Sequence, residues 1–237
     1  MLTLEGVQVR FGGVQALKSA SFSVAEGETI GLVGPNGAGK TTLFNVISGV
    51  VKPTEGRLEF RGRSLLTLPE WKRARLGIGR SFQIPRPLGH CTVRENLIVA
   101  QRFGAGTVDP ERIDEILDIL NLAGKADRDA TTELALTEHK ALEVGKALAT
   151  NPSLLLLDEV LAGLETNSKR AFMERLAAVR ERFRLAMVVI EHDIPTVTAL
   201  CPRVLVLNFG QIIADGTPDA VFRDPEVIRS YTGEAAA

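Results

Sequence analysis

Gly34-Pro35-Asn36-Gly37-Ala38-Gly39-Lys40-Thr41, with Thr42 following, is the stretch that decides the reading of this chain. It stands between an apolar run with strand character, Thr29 to Val33, and an amphipathic run with helix character, Lys40 to Ser48, closed by Gly49. This is the context that a phosphate-binding loop requires. The glycines let backbone N–H groups turn inward around phosphate oxygens, where a Cβ would obstruct them. The start of the helix adds its partial positive charge. In such a loop Lys40 reaches the β and γ phosphates and the Thr41 hydroxyl ligates Mg²⁺, so ATP and Mg²⁺ are expected at Gly34 to Thr42. An ordinary glycine-rich strand–helix turn is the competing reading, and the flanking strand and helix disfavour it. The loop says that a nucleotide binds and is silent on what it drives.

A second stretch extends the argument. Leu154-Leu155-Leu156-Leu157-Asp158-Glu159 is four aliphatic residues followed by two acids. A buried strand would deliver Asp158 to the carboxyl edge of a sheet, where it can hold Mg²⁺ directly or through water. Glu159 can then orient and polarise an attacking water. Without a phosphate loop in the same chain, a strand ending in a solvated acidic turn would be a serious alternative.

The composition is compatible with this and excludes several other classes. The 237 residues are 45% hydrophobic and 24% charged, enough for a substantial core and too apolar for a disordered chain. The formal net charge is −1, with both signs mixed along the chain. The most basic stretch, Trp71-Lys72-Arg73-Ala74-Arg75, reads as a solvated helix face, so no nucleic-acid partner is expected. Cys91 and Cys201 stand alone without metal-ligand spacing, which suits a reducing cytoplasm. Met1-Leu2-Thr3-Leu4-Glu5 carries no secretory pattern. The longest apolar runs have strand length, whereas a bilayer-spanning helix needs roughly 18 or more residues. Any membrane role is therefore expected to come through a partner.

Along the chain, Thr3 to Val9, Ala20 to Val24 and Gly56 to Phe60 read as further strands, and Pro69 opens a helix reaching about Leu76. Thr92 to Ala100 and Asp109 to Leu120 read as amphipathic helices separated by a loop at Phe103 to Thr107, a helical insertion in an α/β pattern. Glu138 to Thr150, Thr166 to Arg182 and Ile194 to Leu200 read as helices alternating with strands at Leu154 to Leu157 and Ala186 to Ile190. Such alternation predicts a mostly parallel, buried sheet. Arg203 to Asn208 and Gln211 to Asp215 read as a hairpin through Phe209-Gly210, and Ala235-Ala236-Ala237 as a loose tail.

The phosphate loop, the distant Leu154 to Glu159 strand, the helical insertion between them, and His192 after Val188-Val189-Ile190 together resemble the ABC ATPase cassette, over essentially the whole chain. The resemblance implies an α/β P-loop NTPase fold with a parallel-sheet core, an antiparallel β portion and a helical subdomain at about 84–150 within a single domain. It implies roles for further residues. Phe11, in Arg10-Phe11-Gly12-Gly13, is similar to the aromatic that stacks on adenine. Gln83, in Gly79-Arg80-Ser81-Phe82-Gln83, is similar to the glutamine that contacts Mg²⁺ or its water and communicates with the membrane subunits. His192 is similar to the switch histidine that touches the γ-phosphate. Glu159 and Lys40 complete the catalytic set. A finer resemblance, carried by Gly77 to Gln83, Thr92 to Leu97 and Val206 to Pro218, is to the ATPases of branched-chain amino acid importers. It implies a second, non-identical ATPase, two transmembrane permease subunits, a solute-binding protein, and a place on the cytoplasmic face of the cell membrane.

The sequence also departs from the family. Its signature, normally Leu-Ser-x-Gly-Gln-like, is counted back from Lys146-Ala147-Leu148-Ala149 to Leu134-Ala135-Leu136-Thr137-Glu138. Ala135 removes a hydroxyl donor, Thr137 adds a Cβ, and Glu138 is expected to bring a negative charge near the phosphates. Val160 stands in place of a proline, and Ala162-Gly163-Leu164-Glu165 ends in Glu. These changes bear on the composite site that a cassette completes for its partner and leave its own phosphate loop intact. The reading is therefore an ATP-hydrolysing subunit of an importer for branched-chain or other hydrophobic amino acids. The alternatives are an importer for urea or amides and an exporter for lipid or polysaccharide. Among non-transport ABC ATPases, of DNA repair, translation or metal-cluster assembly, repair proteins would need a long coiled-coil insertion and translation factors two cassettes, and keeping Lys40, Gln83, Asp158, Glu159 and His192 argues against a binding module that has lost catalysis.

Overall fold

The computed structural model describes residues 1–232, and the tail expected at Ala235 to Ala237 lies outside them. In chain order the elements are β1 (Leu2–Phe11), β2 (Val14–Val24), β3 (Thr29–Val33), α1 (Lys40–Ser48), β4 (Glu55–Phe60), β5 (Arg63–Ser64), α2 (Glu70–Arg75) and β6 (Ile78–Arg80). Then follow α3 (Val93–Gly104), α4 (Pro110–Ile119), a 3₁₀ turn at Ala123–Lys125, α5 (Leu136–Ala149), β7 (Leu154–Asp158) and α6 (Thr166–Phe183). The chain closes with β8 (Ala186–Ile190), α7 (Ile194–Leu200), β9 (Arg203–Asn208), β10 (Gln211–Gly216), α8 (Pro218–Val221) and α9 (Pro225–Thr232). No helix among the described residues is long and apolar enough to cross a membrane.

The chain divides into two compact units, one of Met1–Glu70 with the segment from Val188 onward, the other Trp71–Met187. In the first, the strands lie in the order β5-β4-β1-β2-β10-β9-β3. The β1–β2, β1–β4 and β9–β10 pairs are antiparallel, and β3 runs parallel to β9. In β1 the buried residues are Leu2 and Leu4, then Val7 and Val9. A register shift between Leu4 and Val7, where Gly6 has φ +58°, changes the phase so that both pairs face the core. Every residue of β3 is buried, the mark of a strand covered on both faces. Helix α1 stops at Gly49, whose left-handed conformation lets its N–H return to the Asn45 carbonyl.

In the second unit β6 and β7 are parallel, with Ile78, Gly79 and Arg80 opposite Leu154, Leu155 and Leu156. Helix α3 starts at a capping box: Thr92 Oγ1 accepts the Glu95 N–H, and the Glu95 carboxylate accepts the Thr92 N–H. Asp109 caps α4 by accepting the Arg112 N–H, with Pro110 at the first helical position. Gly145 of α5 lets α3 and α4 close in, since a Cβ there would meet Leu97 at 3.1 Å and Leu120 at 3.2 Å. The loop expected from Phe103 begins later, because α3 continues to Gly104. That glycine serves close packing rather than helix breaking: a Cβ on it would lie 2.5 Å from Thr150 Cγ2.

Candidate functional site

In the first unit the loop from Gly34 to Thr42 leaves the end of β3 and enters α1. Gly34 has φ +147°, and a Cβ on it would lie 2.0 Å from the Leu207 carbonyl oxygen. Gly39, at the N-cap of α1 with φ +108°, would bring a Cβ within 2.7 Å of the Ala16 carbonyl. The loop is thus pressed backbone to backbone against β9 and the start of β2, which only glycine permits. The β9–β10 turn braces it from outside. The Gly210 N–H donates to the Ala38 carbonyl at 2.9 Å, and the Gly210 carbonyl accepts the Lys18 N–H at 2.8 Å.

Lys40 is 6% exposed, and its Nζ donates to the Gly34 carbonyl at 2.7 Å and the Pro35 carbonyl at 3.1 Å. A buried ammonium needs acceptors, and here the loop's own carbonyls supply two of them. Asn36, Gly37 and Thr41 are exposed, Pro35, Gly39 and Thr42 half-buried, and Ala38 buried. From α9 the Tyr231 phenol hydrogen-bonds the Gly34 backbone, while its partial burial pushes the phenol's pKa up. Phe11 ends β1 and is 52% exposed. His192 is exposed, directly after the buried Glu191, and Asp193 caps α7 by accepting the Thr196 N–H at 3.2 Å.

The second unit brings Gln83, Asp158 and Glu159 together. Asp158 ends β7 and is 4% exposed. Its carboxylate pairs with Arg80 at 3.4 Å, and its N–H donates to Ser81 Oγ at 3.2 Å. The next residue, Glu159, has φ +50°, a left-handed conformation that a non-glycine residue keeps only when its surroundings hold it. Two contacts do so. The Gln83 Nε2 donates to the Glu159 carboxylate at 2.5 Å, and the Lys140 Nζ, buried on α5, donates to the Glu159 carbonyl at 3.0 Å. The segment after Gln83 is stitched to α5 as well: Lys146 donates to the Arg86 carbonyl at 2.7 Å, and Glu143 accepts the Arg86 N–H at 3.2 Å. Arg80, Ser81 and Lys140 were not singled out by the sequence reading. The available hint was a charged residue, Arg80, directly after Ile78-Gly79 in a segment too short to show strand periodicity.

The degenerate signature lies at the start of α5. Ala135 is the N-cap and offers no side-chain acceptor. The Glu138 carboxylate makes only the reciprocal contact, accepting the Ala135 N–H at 2.8 Å, and pairs with Lys125 at 3.6 Å. The expected negative charge is therefore turned back onto its own helix N-terminus, where the dipole stabilises it. Val160 is buried, so an apolar side chain serves where proline is usual.

Residues 17–162 match the ABC transporter family, and residues 211–237 match the branched-chain amino acid ATP-binding cassette transporter family. The chain is 36% identical over 252 residues to the high-affinity branched-chain amino acid transport ATP-binding protein LivG of Salmonella typhimurium, covering 99% of this chain and 98% of that protein. It is 35% identical, with the same coverage, to the corresponding protein BraF of Pseudomonas aeruginosa. Among solved structures it matches an ATP-binding cassette of an ABC transporter in its ADP conformation, with a TM-score of 0.87, 31% identity and 99% of both chains covered. Likeness at this level along nearly the whole of both chains leaves one conclusion: the protein belongs to the ABC transporter family and is an ATP-binding, ATP-hydrolysing cassette.

Proposed function

We propose that the chain powers uptake of branched-chain or other hydrophobic amino acids, as one of two non-identical ATPases on the cytoplasmic face of a membrane permease pair fed by a solute-binding protein. The observation that carries this is the extent of the likeness to LivG and BraF, which takes in the C-terminal segment matched to the branched-chain family. Co-expressing the chain with its permease subunits and measuring which solutes stimulate ATP turnover tests it. Stimulation by leucine, isoleucine or valine is expected. Stimulation by urea or amides alone, or by a lipid, would assign the chain elsewhere.

The chemistry follows from the groups on the two units. On the first, Lys40 would exchange its loop carbonyls for β- and γ-phosphate oxygens, Phe11 would stack on adenine, and His192 would touch the γ-phosphate. On the second, Glu159 would polarise the attacking water, held in its conformation by Gln83 and Lys140. Thr41 on the first unit, and Gln83 and Asp158 on the second, would supply oxygen donors for Mg²⁺. Hydroxyl, amide and carboxylate oxygens suit this hard cation, and Asp158, a buried carboxylate at a strand end, already faces a cation in Arg80. When bound, Mg²⁺ would neutralise charge on the β- and γ-phosphates.

The same reading makes the two composite sites of the dimer unequal. The competent one would combine this chain's Lys40, Glu159 and His192 with the partner's signature. The weaker one would rely on Leu134 to Glu138, where the helix start that should meet a phosphate carries the Glu138 carboxylate.

A further inference from the structure

Arg80 ends β6 opposite Leu156, two residues before Asp158 on β7. The Ser81 N–H donates to the Leu156 carbonyl at 2.9 Å and Ser81 Oγ accepts the Asp158 N–H at 3.2 Å, so the backbones on either side of the Arg80–Asp158 pair are locked in register. The pair itself is buried, with side chains 8% and 6% exposed, and its Nη2–Oδ2 distance is 3.4 Å. The guanidinium also lies over the Phe82 ring, 5.1 Å from its centroid, and Phe82 is 43% exposed. The cation therefore rests at once on the Asp158 carboxylate and on a half-exposed ring.

A buried carboxylate without a counter-charge is costly, and a carboxylate that already has one resists a second cation. We propose that Arg80 is a positioning residue that acts as a resident counter-ion: it holds the Asp158 carboxylate in place in the absence of Mg²⁺ and competes with Mg²⁺ for it, giving up Asp158 while keeping its Phe82 contact when Mg-nucleotide binds. Ser81 keeps the strand end fixed while the charge is handed over. The inference rests on Asp158 being a Mg²⁺ ligand. It assigns Arg80 a function in cation loading, so that a cassette without Mg-nucleotide stays folded and one with it pays a set threshold.

The test uses the full chain, a fluorescent ADP analogue and a Mg²⁺ titration, together with melting curves in EDTA and in Mg²⁺ with ADP. Arg80→Gln is expected to melt lower than wild type in EDTA, to recover most of that loss with Mg²⁺ and ADP, and to reach half-maximal Mg²⁺-dependent binding at a Mg²⁺ concentration lower by about fivefold or more. A purely structural arginine would lower both melting temperatures alike and leave the Mg²⁺ midpoint unchanged, and that result overturns the proposal. Asp158→Asn separates the premise from the inference. A raised Mg²⁺ midpoint upholds the premise, so that an unmoved Arg80→Gln midpoint then counts against Arg80 alone, whereas an unmoved Asp158→Asn midpoint removes both. If Arg80→Gln does not fold in EDTA, the double variant R80Q/D158N decides. Recovered folding locates the cost in the Asp158 carboxylate, as proposed, and no recovery overturns the idea.

Discussion

Lys140 and Glu159 are joined by a 3.0 Å hydrogen bond from the lysine Nζ to the glutamate's backbone carbonyl, and Glu159 is the residue with φ +50° at the end of the acidic strand. The buried ammonium on the signature helix thus holds the backbone conformation from which the Glu159 carboxylate is aimed. Lys140→Met keeps the buried aliphatic stem and removes the donor. Turnover is expected to fall by about tenfold or more while ATP affinity stays near wild type, because a displaced base costs reaction rate rather than nucleotide binding. Phosphate release set against fluorescent-ATP titration checks this, and equal turnover would mean that Glu159 holds its conformation without Lys140.

Glu159→Gln keeps the shape of the side chain and removes its charge. Hydrolysis in the assembled transporter is expected to drop by about 10²–10⁴-fold with ATP binding retained. Turnover within a few-fold of wild type would shift the role to another residue, His192 first.

Lys40→Ala removes the ammonium that bonds the Gly34 and Pro35 carbonyls. ATP binding is expected to weaken or turnover to vanish, read by the same titration and by phosphate release. Unchanged affinity together with unchanged turnover would remove the loop from the reaction.

The Gly34→Ala variant tests the loop's packing independently of nucleotide. Its Cβ would fall 2.0 Å from the Leu207 carbonyl oxygen at φ +147°, so β3 and β9 must part or the loop must rearrange. A loss of about 2 kcal/mol or more is expected, seen as a fall in melting temperature of about 4–8 °C for a chain of this size. A melting curve that superimposes on wild type would show that the loop relaxes at no cost.

The proposed inequality of the composite sites predicts the outcome of paired variants. In the assembled transporter, Glu159→Gln here is expected to remove most turnover, while the matching substitution in the partner leaves much of it. Restoring the signature with Ala135→Ser, Thr137→Gly and Glu138→Gln together is expected to raise turnover at the partner's phosphate loop, because it returns the hydroxyl, removes the Thr137 Cβ and removes the Glu138 charge. Equal losses from the two glutamate substitutions would make the sites equivalent.

The sequence by itself determined the elements whose signals are local. Strand β3, helix α1 and helix α7 begin and end where glycines, caps and periodicity place them. The phosphate loop is legible for the same reason: backbone approach demands glycine at particular positions, and a motif records that demand directly. Asp158 and Glu159 were legible from four aliphatic residues running into two acids. Tertiary structure alone decided what those acids touch. Arg80 and Asp158 are 78 residues apart, and so are brought together only by the parallel register of β6 on β7, a three-residue strand too short to announce itself. Lys140 meets Glu159, Glu138 turns back on its own helix, and Gly104, the last residue of α3, packs against Thr150. Local pattern encodes which conformation a segment prefers and which residue types chemistry requires. The partner of a buried charge depends on which distant backbone lies within hydrogen-bonding reach, and that is settled only when the strands and helices pack.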